Sequence, residues 1–232
     1  MSKLSYYITL LRAIFPSIYV CFKYLPFKQA VKLPILIYKP HDCCFRGHIR
    51  IESEKIYRGM ITLGFNTEDL YSNNGISFKN EGDITFNGSC QIGNDNYIFV
   101  GQQGHLVLGD NFKATSGIRL ACMHSIYFGK DTLLGWGVTA TDSNFHPLYD
   151  REKKEFKKAY SKIHISDNNW FALDCLIMPG VTTPDNCVFG ARSVVTRNGH
   201  YESYCVHAGN PAKVLTRNVE RIVGQDFIQD YK

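Results

Sequence analysis

The sequence has little that would assign its 232 residues to a simple class. Charged residues make up only 20% of it, too few for a highly charged coiled coil or a disordered tail. The apolar stretch from Ala13 to Phe22 contains Pro16 and is bounded by Arg12 and Lys23, short of the roughly 20 residues a spanning helix needs. No small-residue cleavage site follows it, so a secretory signal is not expected. The eight cysteines (Cys21, Cys43, Cys44, Cys90, Cys122, Cys175, Cys187 and Cys205) form no C-x-x-C pair, and no His stands at a zinc-ribbon spacing from them. A secreted disulfide scaffold would be smaller and would follow a signal peptide. Reduced thiols and a cytoplasmic location are therefore expected. The net charge of +5 is scattered along the chain. It fits an anionic small molecule or a membrane surface at least as well as a nucleic acid.

What is present is a globular composition, 44% hydrophobic, in a length that suits one compact domain with at most a short appendage. Gly, Asn and Asp are spread throughout, which predicts many turns rather than long helices. The informative feature is a repeat. Written in sixes from Ile165, the chain reads ISDNNW, FALDCL, IMPGVT, TPDNCV, FGARSV. The first positions are Ile165, Phe171, Ile177, Thr183, Phe189 and Val195; the fifth are Asn169, Cys175, Val181, Cys187 and Ser193. A period of six matches neither an isolated strand nor a helix. It matches a short strand followed by a turn, stacked so that each unit buries its neighbour's apolar face. First positions then point inward, small fifth positions sit at corners, and three sixes make one triangular coil.

The period recurs at Phe128, Leu134 and Ala140, at Leu108, Ala114 and Leu120, and at Phe86, Ile92 and Ile98. Its phase slips near 99–107 and 121–127. Upstream the pattern is ragged, which predicts irregular first coils from about residue 47. Between His146 and Ile163 the repeat stops, and the charged segment 147–162 reads as a loop thrown out from one corner. Long ordered loops are often functional; a solvated excursion is the plain alternative. The expected organisation is a mostly helical segment over 1–46, the coiled domain over 47–215, and a tail over 216–232 that a short helix would suit.

Three pieces of sequence resemble the hexapeptide-repeat acyltransferases, and more narrowly the sugar and polysaccharide O-acetyltransferases related to the maltose, galactoside and xenobiotic enzymes. They are TDSNFHP (Thr141–Pro147), NNWFALDCLIMPGVTTPDNCVFGARSVVT, and AGNPAKVL (Ala208–Leu215). The similar stretch runs from about Ile84 to Leu215. The resemblance implies an all-β-dominated fold: a left-handed parallel β-helix with a helical N-terminal segment, a protruding loop and a short C-terminal helix. It implies acetyl-CoA as co-substrate, no metal, a carbohydrate acceptor, a homotrimer with active sites between subunits, and no nucleic-acid partner.

The resemblance also implies site residues. His146 matches the family's general base, and imidazole suits that task because its ordinary pKa lies near neutrality. Asp142 would orient that imidazole, unless it caps a turn. Trp170 would border the active site, or sit in the core with a partner for its indole N–H. Thr115 stands where maltose-type enzymes carry Asn, which argues against the same acceptor geometry. Phe145 and Tyr149 would join Thr115 at the acceptor. Ala172, Leu173, Ala191, Thr196 and Arg197 would line the coenzyme A groove. Lys213 and Arg217 would meet its phosphates, unless they are surface cations.

Other readings stay open beside this one. An amino sugar would make the enzyme an N-acetyltransferase, and an inactive β-helix scaffold would need none of His146, Trp170 and Lys213. A γ-type carbonic anhydrase needs a close His pair that the repeat region lacks. A nucleotidyltransferase needs a nucleotide domain that 46 residues cannot supply. In the N-terminal segment Tyr6, Tyr7, Leu10, Ile14, Ile18 and Tyr19 can share an apolar helix face among basic residues. Peripheral membrane contact or packing on the domain would use it.

Overall fold

The computed structural model describes residues 3–66 and 71–224, with side chains from Thr9 onward. Strands dominate, and they wind into three parallel sheets that form the sides of a left-handed β-helix. The first coil consists of β1 (Ile35–Ile37), β2 (Pro40–Phe45) and β3 (His48–Ile51). The second is β4 (Ile61–Phe65), β5 (Ile76–Asn80) and β6 (Asp83–Phe86). The third is β7 (Cys90–Gly93), β8 (Asn96–Val100) and β9 (His105–Leu108), and the fourth β10 (Phe112–Ala114), β11 (Arg119–Cys122) and β12 (Ser125–Phe128). The fifth runs β13 (Leu133–Leu134), β14 (Thr139–Thr141), then a two-stranded excursion, β15 (Tyr149–Asp150) and β16 (Glu155–Phe156), before closing with β17 (Ile163–Ile165). The sixth is β18 (Trp170–Phe171), β19 (Leu176–Ile177) and β20 (Thr182–Thr183). The last turn carries β21 (Cys187–Phe189) and β22 (Val194–Val195). It ends in a hairpin of β23 (Cys205–Gly209) and β24 (Ala212–Arg217). We call the sheets A, B and C after the first, second and third strand of a coil.

The six-residue pattern explains the core directly. Ile165, Phe171, Ile177, Thr183, Phe189 and Val195 are all fully buried, and so are Asn169, Cys175, Val181, Cys187 and Ser193. Parallel register stacks like positions in columns, as in Leu134, Phe171, Phe189 and His207 on sheet A. The Phe171 and Phe189 rings lie 4.6 Å apart and 3° from parallel. Such stacking adds about 1 kcal/mol beyond the area buried. One corner is turned by Asn111, Asp131, Asn168 and Asn186, all at positive φ, which short polar side chains tolerate. Asn111 Nδ2 donates to Asp131 Oδ1 (2.7 Å) and Asn168 Nδ2 to Asn186 Oδ1 (2.8 Å), tying successive coils.

Two boundaries differ from the expected ones. The helix of coils begins at Ile35 rather than near residue 47, because β1 and β2 already pair in parallel with β4 and β5. The long connections 52–60 and 66–75 break the six-residue phase there without breaking the pairing. Helices α1 (Lys3–Tyr24) and α2 (Phe27–Ala30) precede it. At the other end, 212–217 is strand and 218–224 is not helical; the rest of the expected tail helix lies outside the described residues.

Helix α1 closes the open end of the first coil. Ser17 Oγ accepts from Ile37 N–H (2.9 Å), Cys21 Sγ donates to Ile35 O (3.4 Å), and Tyr19 and Tyr24 pack on Phe45.

Candidate active site

The segment expected as a loop is a β-hairpin. It leaves sheet B after β14 and returns to sheet C at β17. Ser143 bridges Tyr160, Asn144 N–H donates to Ala159 O (2.8 Å), Lys157 N–H donates to Leu148 O (2.7 Å), and β15 pairs with β16. Asp150 shapes the tip by accepting from the N–H groups of Glu152 and Lys153 and pairing with Lys157 at 3.2 Å. The hydrogen bond from Lys153 leads in holding its carboxyl below the usual carboxylate range.

His146 sits at the root of this hairpin. Phe145 before it has φ +59°, a left-handed conformation that is unusual for a bulky side chain. Ser143 Oγ accepts from Phe145 N–H (2.9 Å), and His146 N–H donates to Asn144 O (2.7 Å). The three-residue turn so formed is a strained type. It costs roughly 1–3 kcal/mol and persists only where the surroundings enforce it. The turn sends neighbouring side chains into different hollows. His146 lines a cleft of about 890 Å³ between the hairpin and the last coils. Phe145 lines a shallower groove of about 370 Å³ on the outside of sheet B, with Tyr97, Phe99 and Arg119.

The far wall of the His146 cleft is the corner between sheets B and C: Met178, Pro179, Thr196 and Arg197. Gly180 has φ +85°, and a Cβ there would press on Ser161 Oγ and Arg197 Cδ, so glycine lets hairpin and coil close together. Lys153, Lys157, Lys158 and Arg197 face the cleft against Asp150 and Glu155, which makes it net cationic. Lys158 Nζ lies 4.5 Å from the Tyr160 ring centre, and His124 packs on the same ring. Burial, with help from Lys158, pushes the His124 imidazole below its ordinary value. Among the described residues the His146 ring has no hydrogen-bond partner, so both ring nitrogens are open to a ligand.

Asp142 is fully buried and does not meet that ring. Its carboxylate accepts from the N–H groups of Met123 (2.7 Å), His124 (2.8 Å) and Ser125 (2.6 Å). It closes the 122–125 corner of the preceding coil, so the structure gives it a turn-closing place rather than that of an imidazole partner. Tyr149 packs edge-on against Phe156 at 5.2 Å within the hairpin instead of lining the cleft.

The remaining expected residues fall in separate places. Thr196 and Arg197 share the cleft with His146. Thr115, Ala172, Leu173 and Ala191 stack along the corner between sheets A and B, as the register of β10, β13, β18 and β21 requires. Thr115 Oγ1 donates to Leu134 O (3.2 Å). Trp170 projects from sheet A and is 37% exposed. Sheet B stands between Thr115, Ala172, Leu173, Ala191 and His146, and Trp170 lies on the sheet opposite the His146 corner. On the terminal hairpin, Arg217 Nε and Nη2 donate to Glu202 (3.1 and 3.0 Å), so one edge of its guanidinium is already engaged. Lys213 is exposed on β24 and makes no ion pair among the described residues. Asn144, Leu148, Tyr160, Ser161 and Met178 also line the cleft. The six-residue pattern carries no signal for the four of these on the hairpin, whose antiparallel ladder has a period of two.

Three of the buried thiols are unsuited to act as nucleophiles. Burial pushes Cys122 and Cys187 up to about 12 and Cys175 up to about 11, far from the thiolate range.

No protein-family model matches the chain. It is 27% identical over 135 residues to the galactoside O-acetyltransferase of Escherichia coli (strain K12), covering 58% of this chain and 64% of that protein. It is 38% identical over 86 residues to a proposed acetyltransferase of Staphylococcus aureus (strain COL), covering 37% of this chain and 41% of that one. The chain thus spans less than two thirds of the length of these curated relatives. In three dimensions it resembles a polySia-specific acetyltransferase, with a TM-score of 0.50, 19% identity, and coverage of 81% of this chain and 94% of that one. In sequence the chain is similar to hexapeptide-repeat acetyltransferases, and in fold it is a left-handed β-helix of their kind.

Proposed function

We propose that this protein is an acetyl-CoA-dependent O-acetyltransferase acting on a sugar hydroxyl in the assembly of bacterial surface polysaccharide, capsule or lipopolysaccharide. The observation that carries this reading is His146. A strained turn holds it at the mouth of a large cleft, with its ring exposed, within the TDSNFHP stretch that resembles the hexapeptide-repeat acyltransferases.

The chemistry follows from a base beside a hydroxyl. Acetyl-CoA supplies the thioester. The His146 imidazole takes the acceptor hydroxyl proton as the oxygen attacks the thioester carbon. The C–O bond forms, the C–S bond breaks, and the imidazolium returns its proton to the departing thiolate. Backbone N–H groups would stabilise the oxyanion. The raised cysteine pKa values favour this direct transfer over an acyl-cysteine route.

Arg197 and Thr196 in the cleft, and Lys213 on the terminal hairpin, suit the phosphates of coenzyme A. Ala172, Leu173, Ala191 and Thr115 lie across sheet B from His146 in the same chain, and Trp170 lies on sheet A, opposite the corner that carries His146. One site can use both sets only if a neighbouring subunit supplies one of them, which calls for an oligomer and suits the homotrimer that the resemblance implies. The cationic wall of Lys153, Lys157 and Lys158 favours an acceptor bearing a carboxylate or phosphate. A cytoplasmic site of action fits the reduced cysteines.

The test is thiol release from acetyl-CoA by the full chain across a panel of neutral and acidic sugars and nucleotide sugars. Acceptor-dependent release, stronger with acidic acceptors and falling with salt, is expected. No release with any acceptor, together with no coenzyme A binding by calorimetry, would make the protein a scaffold.

A further inference from the structure

The cap on the first coil is inside out. The end of a stacked-coil protein needs a cap whose outer face is polar, or it stays sticky. Helix α1 places its small residues inward: Ala13, Ser17, Val20 and Cys21 are buried against the coil. Its large ones point out. Leu11 is 64% exposed and Phe15 82%, and Ile14, Ile18 and Phe22 are exposed beside them, while Tyr19 at the edge of the stripe also packs on Phe45. Their spacing (11, 14, 15, 18, 22) is one continuous helical stripe. The following turn extends it with Phe27, 73% exposed, and Val31; Phe27 packs edge-on against Phe22. A contiguous apolar patch of this kind marks a surface that is covered in use.

The charge around the patch says by what. Residues 1–41 contain no Asp or Glu, while Lys3, Arg12, Lys23, Lys28, Lys32 and Lys39 are all basic. Arg12, Lys23, Lys28 and Lys32 are exposed. Lys23 Nζ donates to the Tyr19 hydroxyl at 3.2 Å, a pairing of aromatic ring and cation suited to the headgroup zone. Among the described residues no helix is long and apolar enough to cross a membrane.

We propose that the outer face of α1 and the α2 turn is a docking surface for an anionic lipid bilayer, on which the helix lies flat. Bulky apolar side chains enter the acyl boundary while flanking Lys and Arg meet phosphate headgroups. The surface stands on its own, whatever chemistry the cleft performs.

The placement has a geometric consequence. Helix α1 touches β1 through Ser17 and Cys21 and β2 through Tyr19 and Tyr24, so it lies across the end of the coil stack. A membrane beneath it leaves the stack standing upright. His146 follows β14, four strands along sheet B from β2. At about 4.8 Å per strand, plus a helix roughly 10 Å thick, the cleft stands on the order of 30 Å above the lipid. That height suits an acceptor held away from the bilayer by several sugar units.

The experiment is flotation of the full chain with vesicles of phosphatidylcholine alone or with about a third phosphatidylglycerol, beside Phe15→Ser and the pair Arg12→Gln/Lys23→Gln. Wild type should float with the anionic vesicles and lose binding in high salt. Phe15→Ser should weaken partition roughly tenfold, and the charge pair about 25-fold, from the contribution of each basic residue near such a surface. Light scattering should show the same assembly for all, with unchanged thiol release on a soluble acceptor. Wild type left at the bottom of the gradient with both vesicle types would overturn the proposal. So would variants that float as well as wild type. Variants that change assembly size while wild type ignores vesicles would overturn it too, by making the face a contact between subunits.

Discussion

Replacing Asp142 separates a structural carboxylate from a catalytic one. In Asp142→Ala the N–H groups of Met123, His124 and Ser125 lose bonds of 2.7, 2.8 and 2.6 Å at once. A hydrogen bond to a charged group contributes about 1.5–3 kcal/mol. The three donors share one acceptor and are only partly buried, so water recovers some of the loss. A destabilisation of about 4 kcal/mol follows, within the range for removing one member of a buried charged cluster. For a protein of this size that is a fall in Tm of roughly 8–16 °C. Asp142→Asn keeps an acceptor oxygen but turns an NH2 group toward a donor, and should lose roughly half as much. Calorimetry or denaturant titration reads the stability. Well below the melting range, turnover of either variant should fall less than about tenfold, with the pH profile of kcat unmoved. Asp142→Ala melting like wild type while turnover drops a hundredfold would refute the reasoning and return Asp142 to the imidazole.

Other consequences follow from the same geometry. Phe145→Gly should melt no lower than wild type, because glycine adopts φ +59° freely. Phe145→Val should lose about 1–2 kcal/mol for a branched side chain in the left-handed region, and equal melting of the two variants would mean the turn stores no strain. His207 is buried under Phe189, and its Nε2 accepts from Glu202 N–H at 3.1 Å. Burial lowers its pKa below the ordinary value, so the unfolded chain takes up the proton first as pH falls. Its contribution to stability is complete above about pH 6.5 and declines below that, toward the folded value. Denaturant midpoints from pH 8 to 5 should fall more steeply for wild type than for His207→Phe; parallel curves would contradict the assignment.

The coil core is legible in the sequence because its cause is local. Each unit of ISDNNW, FALDCL and their successors carries its own inward residue, and all six first positions are buried. The first coil is not legible, since nine- and ten-residue connections between strands hide a pairing that only the register reveals. The choice between the two readings of Asp142 is not legible for a similar reason: its partners lie 17 to 19 residues upstream and meet it only through the coil geometry. His146, Thr196 and Arg197, which the resemblance implies for one site, line one cleft. Thr115, Ala172, Leu173 and Ala191, which the resemblance implies for the same site, lie on another corner, because a resemblance transfers residue identities and not their place around the coil. In α1, Ile14, Ile18 and Tyr19 face outward, Leu10 is half-buried, and the side chains of Tyr6 and Tyr7 lie outside the described residues. Periodicity shows that a helix has an apolar stripe. It cannot tell a stripe of Ala, Ser and Cys that seals a coil from a stripe of Leu and Phe left facing out.

The role of His146 as the base is tested most directly by acceptor-dependent thiol release by His146→Ala beside wild type, with coenzyme A binding measured on both. Turnover should fall by roughly two to four orders of magnitude with coenzyme A affinity kept. A variant that turns over within a few-fold of wild type would contradict it.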